Sequence, residues 1–378
     1  MRLTLVSPFD PSPPLGGDGT DRVGGVERVF AQASRALVRR GHDVTLLCST
    51  SGSIPTNRVE DGVDVVRIPR RGIFLKAPVA SLARNLTPDA ELIHVAATYP
   101  FTTPGVLRRA HHLQIPSVLD FHFEPASGSA AGRFAANVYR QIGPRDYPLA
   151  AVTLVRSLAY GRSSHSLDNI PRDRWRVVPN GIDPKKFTPA GPARAGGYLL
   201  FVGRLVRYKG LDVLLHALAL LRPNAQLVIA GEGPLREQLQ AQARQLGVDV
   251  RFLGHVPDDD LPALYRGAVL TVLPSVTCQE AFGIALLESM ACGTPVVASR
   301  LPGVAELASL GGLVSPPGDA RALANRLRTA LWDDRLPRGS SLAKAIHDAF
   351  SWDAVAARLD EVYREVLDRP TPQASQAA

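Results

Sequence analysis

The feature that most constrains the fold is an alternation of apolar runs and helix-like stretches, which occurs twice along the 378-residue chain. In the first half, apolar residues 2–8 precede a loop rich in Gly, Pro and Asp, a helical pattern at residues 26–41 and a second apolar run at residues 43–49. In the second half, an apolar run at residues 198–203 is followed by a helical pattern at residues 210–221. This strand–helix–strand order is typical of a parallel sheet, so we predict an α/β fold.

A stretch rich in Pro and Gly at residues 188–197 separates the two halves. Domains commonly hold about 100–200 residues, so the length also favours two of them. We therefore predict an N-terminal domain over residues 1–189, a C-terminal domain over residues 190–369 and a disordered tail over residues 370–378. Because ligands bind at the carboxyl ends of strands in parallel sheets, the loops after strands should carry the chemistry.

Composition excludes several classes of protein. Hydrophobic residues at 45% and charged residues at 21% are ordinary for a globular chain, which argues against disorder. Three cysteines without CxxC spacing argue against a disulfide framework or a zinc site, and they suit a reducing cytoplasm. No apolar run is long enough to cross a bilayer, and proline interrupts the first residues too soon for a signal peptide.

The net charge of +8 lies entirely in residues 1–190, which hold 24 Lys and Arg against 16 Asp and Glu. A basic half-molecule suits nucleic acid, an anionic membrane or an anionic substrate. Nucleic acid has only this charge in its favour, because the chain shows no aromatic platform or reader motif. Residues 67–78 mix basic and apolar side chains, namely Arg70, Arg71, Lys76, Ile73, Phe74 and Leu75. This segment suits either docking on an anionic membrane or an ordinary basic surface loop.

The strongest chemical signal is the pair Glu280 and Glu288, eight residues apart in the segment EAFGIALLE. Gly283 can begin a helix, which places Glu280 ahead of that helix and Glu288 inside it. At about 1.5 Å rise per residue, the two carboxylates are roughly 12 Å apart, a span that suits the two ends of a nucleotide sugar. Helix N-terminal amides between them suit a diphosphate. Alternatively, Glu280 is a solvated carboxylate at a helix start.

Both glutamates lie in segment 274–299, which resembles the E-x7-E region of retaining glycosyltransferase family 4, the glycosyl transferases group 1. The resemblance continues in order along nearly the whole chain, at residues 24–30, 177–183, 201–218, 231–235, 252–256 and 311–319. It implies the GT-B architecture, with two facing Rossmann-like domains, parallel sheets, an interdomain cleft and a donor bound mainly by the C-terminal domain. We also expect the last helix, at residues 351–369, to cross back to the N-terminal domain.

Two basic residues, Arg204 and Lys209, follow the predicted strand at residues 198–203. They match the pair that neutralises the donor diphosphate in the family, and fixed cations at this place stabilise the charge of a leaving nucleotide. The alternative is an ordinary solvated pair. Arg207 is a nearby third cation, which we assign to the surface.

Several residues of the first half also match the family. Gly24 and Gly25 correspond to its glycine loop, where missing side chains let backbone amides approach a phosphate or sugar. His122 corresponds to the active-site histidine, which faces the donor sugar, and Glu124 lies where relatives often carry an acidic residue. A second candidate glycine loop contains Gly16, Gly17 and Gly19.

The predicted catalytic residues are therefore His122, Arg204, Lys209 and Glu280. The predicted donor-binding residues are Gly24, Gly25, Gly203, Arg204, Lys209, Gly233, His255, Val256, Glu280, Phe282, Gly283, Ile284 and Glu288. We predict no metal site, because His94, His111 and His112 lack partners at metal-ligand spacing and are assigned structural or surface roles. The segment GEGPL begins like a dinucleotide fingerprint, which fails because Arg236 occupies the position of the last glycine.

From these residues we predict a retaining glycosyltransferase that moves a hexose from a UDP- or GDP-sugar to a hydroxyl of a glycan, a lipid-linked glycan or a small metabolite. The resemblance implies no cofactor and no obligatory metal. We also predict a role in bacterial polysaccharide or cell-envelope biosynthesis. The cysteine usage favours the cytoplasm, and the basic N-terminal half with residues 67–78 suggests peripheral docking on the inner face of the membrane. The alternatives are a GT-B-type sugar-nucleotide epimerase and a non-catalytic nucleotide-sugar-binding or membrane scaffold protein.

Overall fold

The computed structural model describes residues 1–11, 25–74, 77–97, 102–123, 137, 139, 141, 143–193, 196–221, 225–332 and 335–369. The chain divides into two compact units, unit 1 (Met1–Gly181 with Trp352–Ala378) and unit 2 (Ile182–Ser351). Several predicted features lie outside the described residues, namely Gly24, the loop with Gly16, Gly17 and Gly19, Leu75, Lys76, Glu124 and the tail from residue 370.

Unit 1 is built on a mainly parallel sheet. Its strands are β1 (Arg2–Phe9), β2 (Asp43–Thr50), β3 (Thr56–Glu60), β4 (Val63–Pro69), β5 (Gly72–Phe74), β6 (Ala77–Val79), β7 (Leu92–Ala96), β8 (Ser117–Asp120), β9 (Val152–Val155) and β10 (Trp175–Val177). Its helices include α1 (Gly25–Arg39), α2 (Thr103–His112) and α3 (Leu158–Arg162), with 3-10 turns at Leu82–Asn85, Gly143–Leu149, His165–Leu167 and Arg172–Arg174.

The main sheet of unit 1 has the order β10-β9-β8-β7-β1-β2-β4-β3. Its neighbouring strands are parallel, except that β3 runs antiparallel to β4. Strands β7, β8 and β9 are buried along their whole length, as expected of parallel strands with both faces covered. Strands β5 and β6 form a separate antiparallel hairpin.

Unit 2 also contains a parallel sheet, with strands β11 (Tyr198–Val202), β12 (Leu227–Ala230), β13 (Val250–Gly254), β14 (Ala268–Leu273), β15 (Val296–Ser299) and β16 (Gly312–Ser315). Between and after them come a 3-10 turn at Arg207–Lys209 and helices α4 (Leu211–Leu220), α5 (Arg236–Leu246), α6 (Leu261–Gly267), α7 (Ile284–Ala291), α8 (Val304–Ala308), α9 (Ala320–Trp332) and α10 (Gly339–Phe350). The strand order β13-β12-β11-β14-β15-β16 reverses direction between β11 and β14. Ligands of open parallel sheets bind at such a reversal, outside the carboxyl ends of the two strands.

The last helix, α11 (Trp352–Asp368), belongs to unit 1. Its residues Trp352, Val355 and Leu359 lie in the same hydrophobic core as Leu5 of β1 and Phe30 of α1. Burial of this apolar face ties α11 to the sheet of unit 1, at about 25 cal/mol per Å² of apolar surface removed from water.

The boundary between the units lies eight residues before the predicted boundary at 189/190, so that prediction is wrong in its position. The backbone N–H of Ile182 donates to the carbonyl of Phe350 over 2.8 Å, and Ile182 forms a bridge with Ser351. Phe187 is buried in the core of unit 2. Residues 182–189 therefore belong to unit 2, as do the described residues of the Pro- and Gly-rich stretch after them, 190–193 and 196–197.

The basic segment 67–78 differs from the prediction at its first residue. Arg67 is buried, because its guanidinium pairs with Asp10 Oδ2 over 2.6 Å and with Glu60 Oε1 over 2.8 Å. Arg71 and Ile73, at and beside the β5–β6 hairpin, are exposed. The exposed basic patch therefore begins after Arg67.

No helix within the described residues is both long enough and apolar enough to pass through a membrane.

Candidate active site

Two predicted residues, Lys209 and Glu280, meet at the reversal of the unit 2 sheet. Lys209 ends the 3-10 turn that follows β11, and Glu280 lies in the loop that follows the adjacent strand β14. Lys209 Nζ is 2.5 Å from Glu280 Oε2, and the hydroxyl of Ser275 donates to the same oxygen over 3.2 Å. The two side chains are 13% and 12% exposed, so the pair is shielded and still accessible from solvent.

The charges of this pair follow from their proximity. Burial by itself lowers the pKa of Lys209, but the Glu280 carboxylate outweighs burial, so the pKa lies above its ordinary value. The ammonium group is therefore protonated at neutral pH. A diphosphate that approached Lys209 would compete with Glu280 for this cation, and Glu280 would then be free to accept hydrogen bonds from hydroxyl groups.

Arg204 lies on the loop that leaves β11 directly after Gly203. It is exposed and has no ion-pair partner among the residues that the structure describes. Two backbone hydrogen bonds fix this loop. Gly203 N–H donates to the carbonyl of Ala230 over 3.0 Å, and Leu205 N–H donates to the carbonyl of Glu232 over 2.8 Å. Arg204 is therefore a free guanidinium on a fixed backbone, whereas the exposed Arg207 lies within the 3-10 turn.

The predicted donor-binding glycine Gly233 permits close contact between two backbone segments. A Cβ atom added at Gly233 would lie 2.4 Å from the carbonyl oxygen of Leu205. At Gly231, it would lie 2.0 Å from the carbonyl oxygen of Gly203. The glycines of the segment GEGPL therefore allow its backbone to pack directly against the backbone of the loop that carries Arg204.

Helix α7 begins where the sequence predicts it. Gly283 has a φ of +84°, in the left-handed region, and is the N-cap residue ahead of Ile284. The first amides of a helix lack intrahelical acceptors and carry partial positive charge, which suits an anion. Phe282 is buried, with its ring 6.4 Å from that of Phe350, so its side chain belongs to the core.

Glu288, on α7, is half-buried and held by a residue that we did not predict. The hydroxyl of Tyr265 donates to Glu288 Oε2 over 2.7 Å. Burial, together with the Glu288 carboxylate, raises the pKa of Tyr265 well above its ordinary value, so the phenol remains a donor. The sequence signal for this pair was the apolar surroundings of Glu288, because a buried carboxylate requires a partner.

The other predicted donor residues of unit 2 lie on neighbouring loops. His255 and Val256 directly follow β13, and the backbone N–H of His255 donates to Glu232 Oε1 over 3.3 Å. The loops after β11, β12, β13 and β14 therefore share one edge of the unit 2 sheet. In unit 1, Gly25 is the first residue of α1.

His122 of unit 1 lies two residues beyond the end of β8, within a buried polar cluster. Its Nε2 is 3.1 Å from Asp120 Oδ2, and Nε2 of His94, on β7, is 3.2 Å from the same oxygen. The other oxygen, Oδ1, accepts from Nη2 of Arg156, whose Nη1 also donates to the carbonyl of Val178 over 2.8 Å. Asp120, His94 and Arg156 were not predicted as site residues; the available signal was that Asp120 and Arg156 end or follow adjacent strands.

Burial governs the protonation of this cluster. It lowers the pKa of His122 to about 4 and, with Arg156 and His122 nearby, that of His94 to about 3. Burial likewise lowers the pKa of Arg156 to about 9, which still leaves it charged at neutral pH. Because burial outweighs the other influences on both groups, the two imidazoles are neutral at pH 7.

We expect the stability of the protein to fall as the pH drops from about 6.5 to about 4. In the unfolded chain both imidazoles bind protons below about pH 6.5, whereas in the folded chain they do so only near pH 4 and pH 3. The unfolded state then binds more protons, and the loss reaches several kcal/mol at the acid end. Melting temperatures across this range check the expectation.

His122→Gln should flatten that pH dependence, whereas a matched change at the exposed His111 should leave it as in the wild type. Equal slopes for all three proteins would show that His122 is already protonated in the folded state.

Two family models together match most of the chain. The model described as Glycosyltransferase Family 4 matches residues 23–186, and that described as Glycosyl transferases group 1 matches residues 185–349. An uncharacterized glycosyltransferase of Methanocaldococcus jannaschii is 36% identical, over 92% of this chain and 95% of the relative. A D-inositol 3-phosphate glycosyltransferase of Xylanimonas cellulosilytica is 30% identical, over 94% of this chain and 95% of the relative.

Solved structures are similar in fold. HepE of Anabaena in complex with UDP-glucose has a TM-score of 0.69 at 19% identity, over 97% of this chain and 100% of that chain. The two parallel-sheet units and this similarity confirm the predicted α/β, GT-B fold class. The chain therefore belongs to glycosyltransferase family 4, the glycosyl transferases group 1, and is a glycosyltransferase of the GT-B kind.

Proposed function

We propose that this glycosyltransferase is a retaining hexosyltransferase that takes its sugar from a UDP- or GDP-sugar without a bound metal. The observation that carries the proposal is the Lys209–Glu280 pair at the reversal of the unit 2 sheet, on the loops beside the N-terminus of α7. A cation, a carboxylate and free helix amides together suit a sugar diphosphate. The UDP-glucose bound to HepE supports a nucleotide sugar as donor.

Five of the predicted residues have a stated role in this proposal. Lys209 and Arg204 neutralise the diphosphate, as a metal ion would in other transferases. Glu280 accepts hydrogen bonds from the hydroxyls of the sugar, and Glu288, held by Tyr265, accepts them from the ribose. His122 keeps the role that the family resemblance implies, a hydrogen bond to the donor sugar.

The reaction follows from these charges. The bond between the anomeric carbon and the diphosphate oxygen breaks, and its electron pair stays on the phosphate beside Lys209. The acceptor hydroxyl attacks from the same face, and its proton passes to the departing phosphate oxygen. Fixed cations lower the barrier because they stabilise charge that develops only as the bond breaks.

The acceptor in the proposal is a hydroxyl of a glycan, a lipid-linked glycan or a small metabolite. A relative named for inositol 3-phosphate supports a small polar acceptor. The net positive charge of residues 1–190 supports an acceptor on an anionic surface, which would place the enzyme in cell-envelope polysaccharide synthesis at the cytoplasmic face of a membrane.

A panel of nucleotide sugars tests the proposal. The matching donor should raise the melting temperature in proportion to ln(1 + [L]/Kd), and nucleotide should be released only when an acceptor hydroxyl is supplied. An isomerised sugar nucleotide without release would indicate the epimerase instead. Binding without either product would indicate a non-catalytic protein.

We expect Glu288→Gln to weaken nucleotide binding about 10- to 100-fold without unfolding the protein, because a charge-assisted hydrogen bond to the ribose is lost. Tyr265→Phe should weaken it less, since Glu288 remains but loses the donor that orients it. Tyr198→Phe is the matched control, because it removes a buried hydroxyl of the same core that donates to the carbonyl of Leu264 over 2.8 Å. Calorimetry with the free nucleotide measures all three, and unchanged affinity in Glu288→Gln would remove the assignment.

The β5–β6 hairpin supports reversible docking on an anionic membrane. Ile73 on the hairpin is 43% exposed, and Arg71 beside it is exposed. Each basic residue near such a surface contributes on the order of 1 kcal/mol, screened beyond about 8 Å at physiological salt. The exposed apolar side chain of Ile73 adds insertion into the interface.

We therefore expect the protein to sediment with anionic vesicles, and binding to fall steeply with added salt. Replacing Arg70, Arg71 and Lys76 with Glu should weaken it further. A matched triple charge reversal at the exposed Arg58, Arg162 and Arg172 changes the net charge equally and should weaken binding less. Equal sedimentation with anionic and neutral vesicles, or with neither, would remove this part of the proposal.

A further inference from the structure

The ammonium group of Lys209 has a well-defined place at the edge of the unit 2 sheet. Its Nζ lies 2.5 Å from Glu280 Oε2 and 5.5 Å from the centre of the Tyr208 ring. A Cβ atom added at Gly203 would lie 3.6 Å from the same Nζ, so the ammonium group lies against the backbone at Gly203. Because the side chain is still partly exposed, an anion from solvent can reach this cation.

The Glu280 carboxylate uses one of its two oxygens for its contacts with the described residues. Oε2 accepts from Lys209 Nζ over 2.5 Å and from the hydroxyl of Ser275 over 3.2 Å. Ser275 is fully buried two residues after β14, so its hydroxyl is a fixed donor. Each oxygen of a carboxylate accepts more than one hydrogen bond, so Oε1 can accept from a ligand hydroxyl while Oε2 stays with Ser275.

The pairing of Lys209 with Glu280 opposes the binding of any diphosphate. A cation that turns from a carboxylate to a phosphate leaves the carboxylate uncompensated, and in a shielded place this is unfavourable. The binding free energy of a diphosphate therefore includes the cost of separating the pair. Hydrogen-bond donors that the ligand itself brings to Glu280 reduce that cost.

A nucleotide sugar brings such donors, and the nucleoside diphosphate that remains after transfer does not. The sugar hydroxyls leave with the transferred sugar. The terminal phosphate, which carries one negative charge when it is bonded to the sugar, then acquires a second ionisation near about pH 6 and carries nearly two charges at neutral pH. Glu280 therefore meets more negative charge and fewer donors in the product than in the substrate.

We propose that Glu280 is a specificity-determining residue that distinguishes the nucleotide sugar from the nucleoside diphosphate product. It does so by recapturing the Lys209 cation when the sugar departs, which weakens product binding and favours product release. The inference rests on the proposed function, in which a sugar diphosphate binds beside Lys209. It adds to the contact of Glu280 with the sugar a role that begins only after the transfer.

Inorganic diphosphate tests the competition for Lys209, because this probe carries neither a base nor a sugar. Glu280→Gln keeps the shape of the side chain, removes its charge and should bind the probe about tenfold more tightly than the wild type. Lys209→Met should bind it more weakly. Glu237→Gln removes the same charge from an exposed position on α5 and should equal the wild type. Calorimetry measures all four proteins, and unchanged or weaker binding to Glu280→Gln would overturn the proposal.

The discrimination is the Kd of the nucleoside diphosphate divided by the Kd of its nucleotide sugar, both measured without acceptor. The ligands are UDP and UDP-glucose, or the corresponding pair for the sugar that the donor panel selects. In Glu280→Gln this ratio should fall about tenfold, since the product gains affinity and the nucleotide sugar does not. Glu288→Gln is the matched control, because the ribose is common to both ligands and the ratio should stay as in the wild type. An unchanged ratio in Glu280→Gln would overturn the discrimination.

A double variant tests the pairing without any ligand. Lys209→Met alone leaves the Glu280 carboxylate uncompensated, so adding Glu280→Gln should recover part of the lost melting temperature. A double variant that melts no higher than Lys209→Met would show that the two side chains do not pair in the free protein, and it would overturn the proposal.

These measurements separate the inference from the proposed function. If the wild type bound no nucleotide sugar and transferred no sugar, the proposed function would fail. Inorganic diphosphate and the double variant would still decide whether Glu280 competes for Lys209. Conversely, an equal gain in affinity for product and nucleotide sugar in Glu280→Gln would overturn the role of Glu280 in discrimination, while sugar transfer would stand.

Discussion

Replacing Lys209 with Met should lower the rate of sugar transfer about 10³-fold and leave the protein folded. Methionine keeps most of the length of the side chain, but it removes the cation that stands 2.5 Å from Glu280. The diphosphate then loses its nearest positive charge and meets an uncompensated carboxylate. Single-turnover kinetics with the donor from the panel measure the effect, and circular dichroism checks the fold.

Arg207→Met is the matched control, because Arg207 is a cation of the same 3-10 turn whose side chain is exposed. It should retain wild-type turnover, and EDTA should not affect the wild-type enzyme. Equal losses for the two variants would mean that the general positive charge of the loop matters rather than Lys209. Complete loss of activity on chelation would point to a metal-dependent enzyme.

Replacing Gly233 with Ala should destabilise unit 2 by about 3 kcal/mol and reduce transfer as well. The new methyl group would lie 2.4 Å from the carbonyl oxygen of Leu205 and 2.7 Å from its nitrogen, so the backbone itself must move. Leu205 directly follows Arg204, so a movement of the Leu205 backbone would also displace the guanidinium of Arg204. Denaturant unfolding and transfer assays on one preparation measure both effects.

Gly318→Ala provides the comparison for this variant. Gly318 has a φ of +77°, but an added Cβ there meets no atom within 4 Å, so only backbone strain of about 1 kcal/mol is expected. Transfer should be unaffected. Equal stability and equal activity of the two variants would show that position 233 tolerates a side chain, and that close packing against Leu205 does not require glycine there.

The elements around the site were predictable because their hydrophobic pattern is simple. Strands such as β12, β14 and β15 are short apolar runs covered on both faces, and α7 begins one residue after the predicted Gly283. By contrast, β3 is mostly exposed and carries the sequence TNRVE, which has no apolar alternation. Nothing in its local pattern distinguishes it from a loop.

For residues far apart in sequence, the sequence indicated that they follow strands but not which of them are in contact. Lys209 and Glu280 are separated by 71 residues and meet because β11 and β14 are neighbours, which is a property of the sheet order. The partners of His122 are a harder case. Asp120 is two residues away, but Arg156 follows the next strand and Tyr363 reaches the cluster from the last helix, so their roles appear only when the fold is assembled.

The domain boundary shows a limit of composition as a signal. Pro and Gly at residues 188–197 mark a break in regular structure, and such breaks occur within domains as well as between them. The actual boundary is defined by backbone pairing of Ile182 with Phe350 and Ser351. That pairing joins residues nearly 170 positions apart and leaves no trace in the local sequence.

Because α11 belongs to unit 1, this unit is discontinuous in sequence. The two parts of its core are therefore synthesised at different times. Residues 1–181 leave the ribosome first, yet the core around Leu5 and Phe30 lacks Trp352, Val355 and Leu359 until unit 2 has been made. At about 5–20 residues per second, this delay lasts roughly 10–40 s. Throughout that interval an apolar sheet face is open to misassociation, whereas the continuous unit 2 can fold as soon as it emerges. The core of unit 1 is therefore completed only when the seventeen-residue helix α11 has been synthesised.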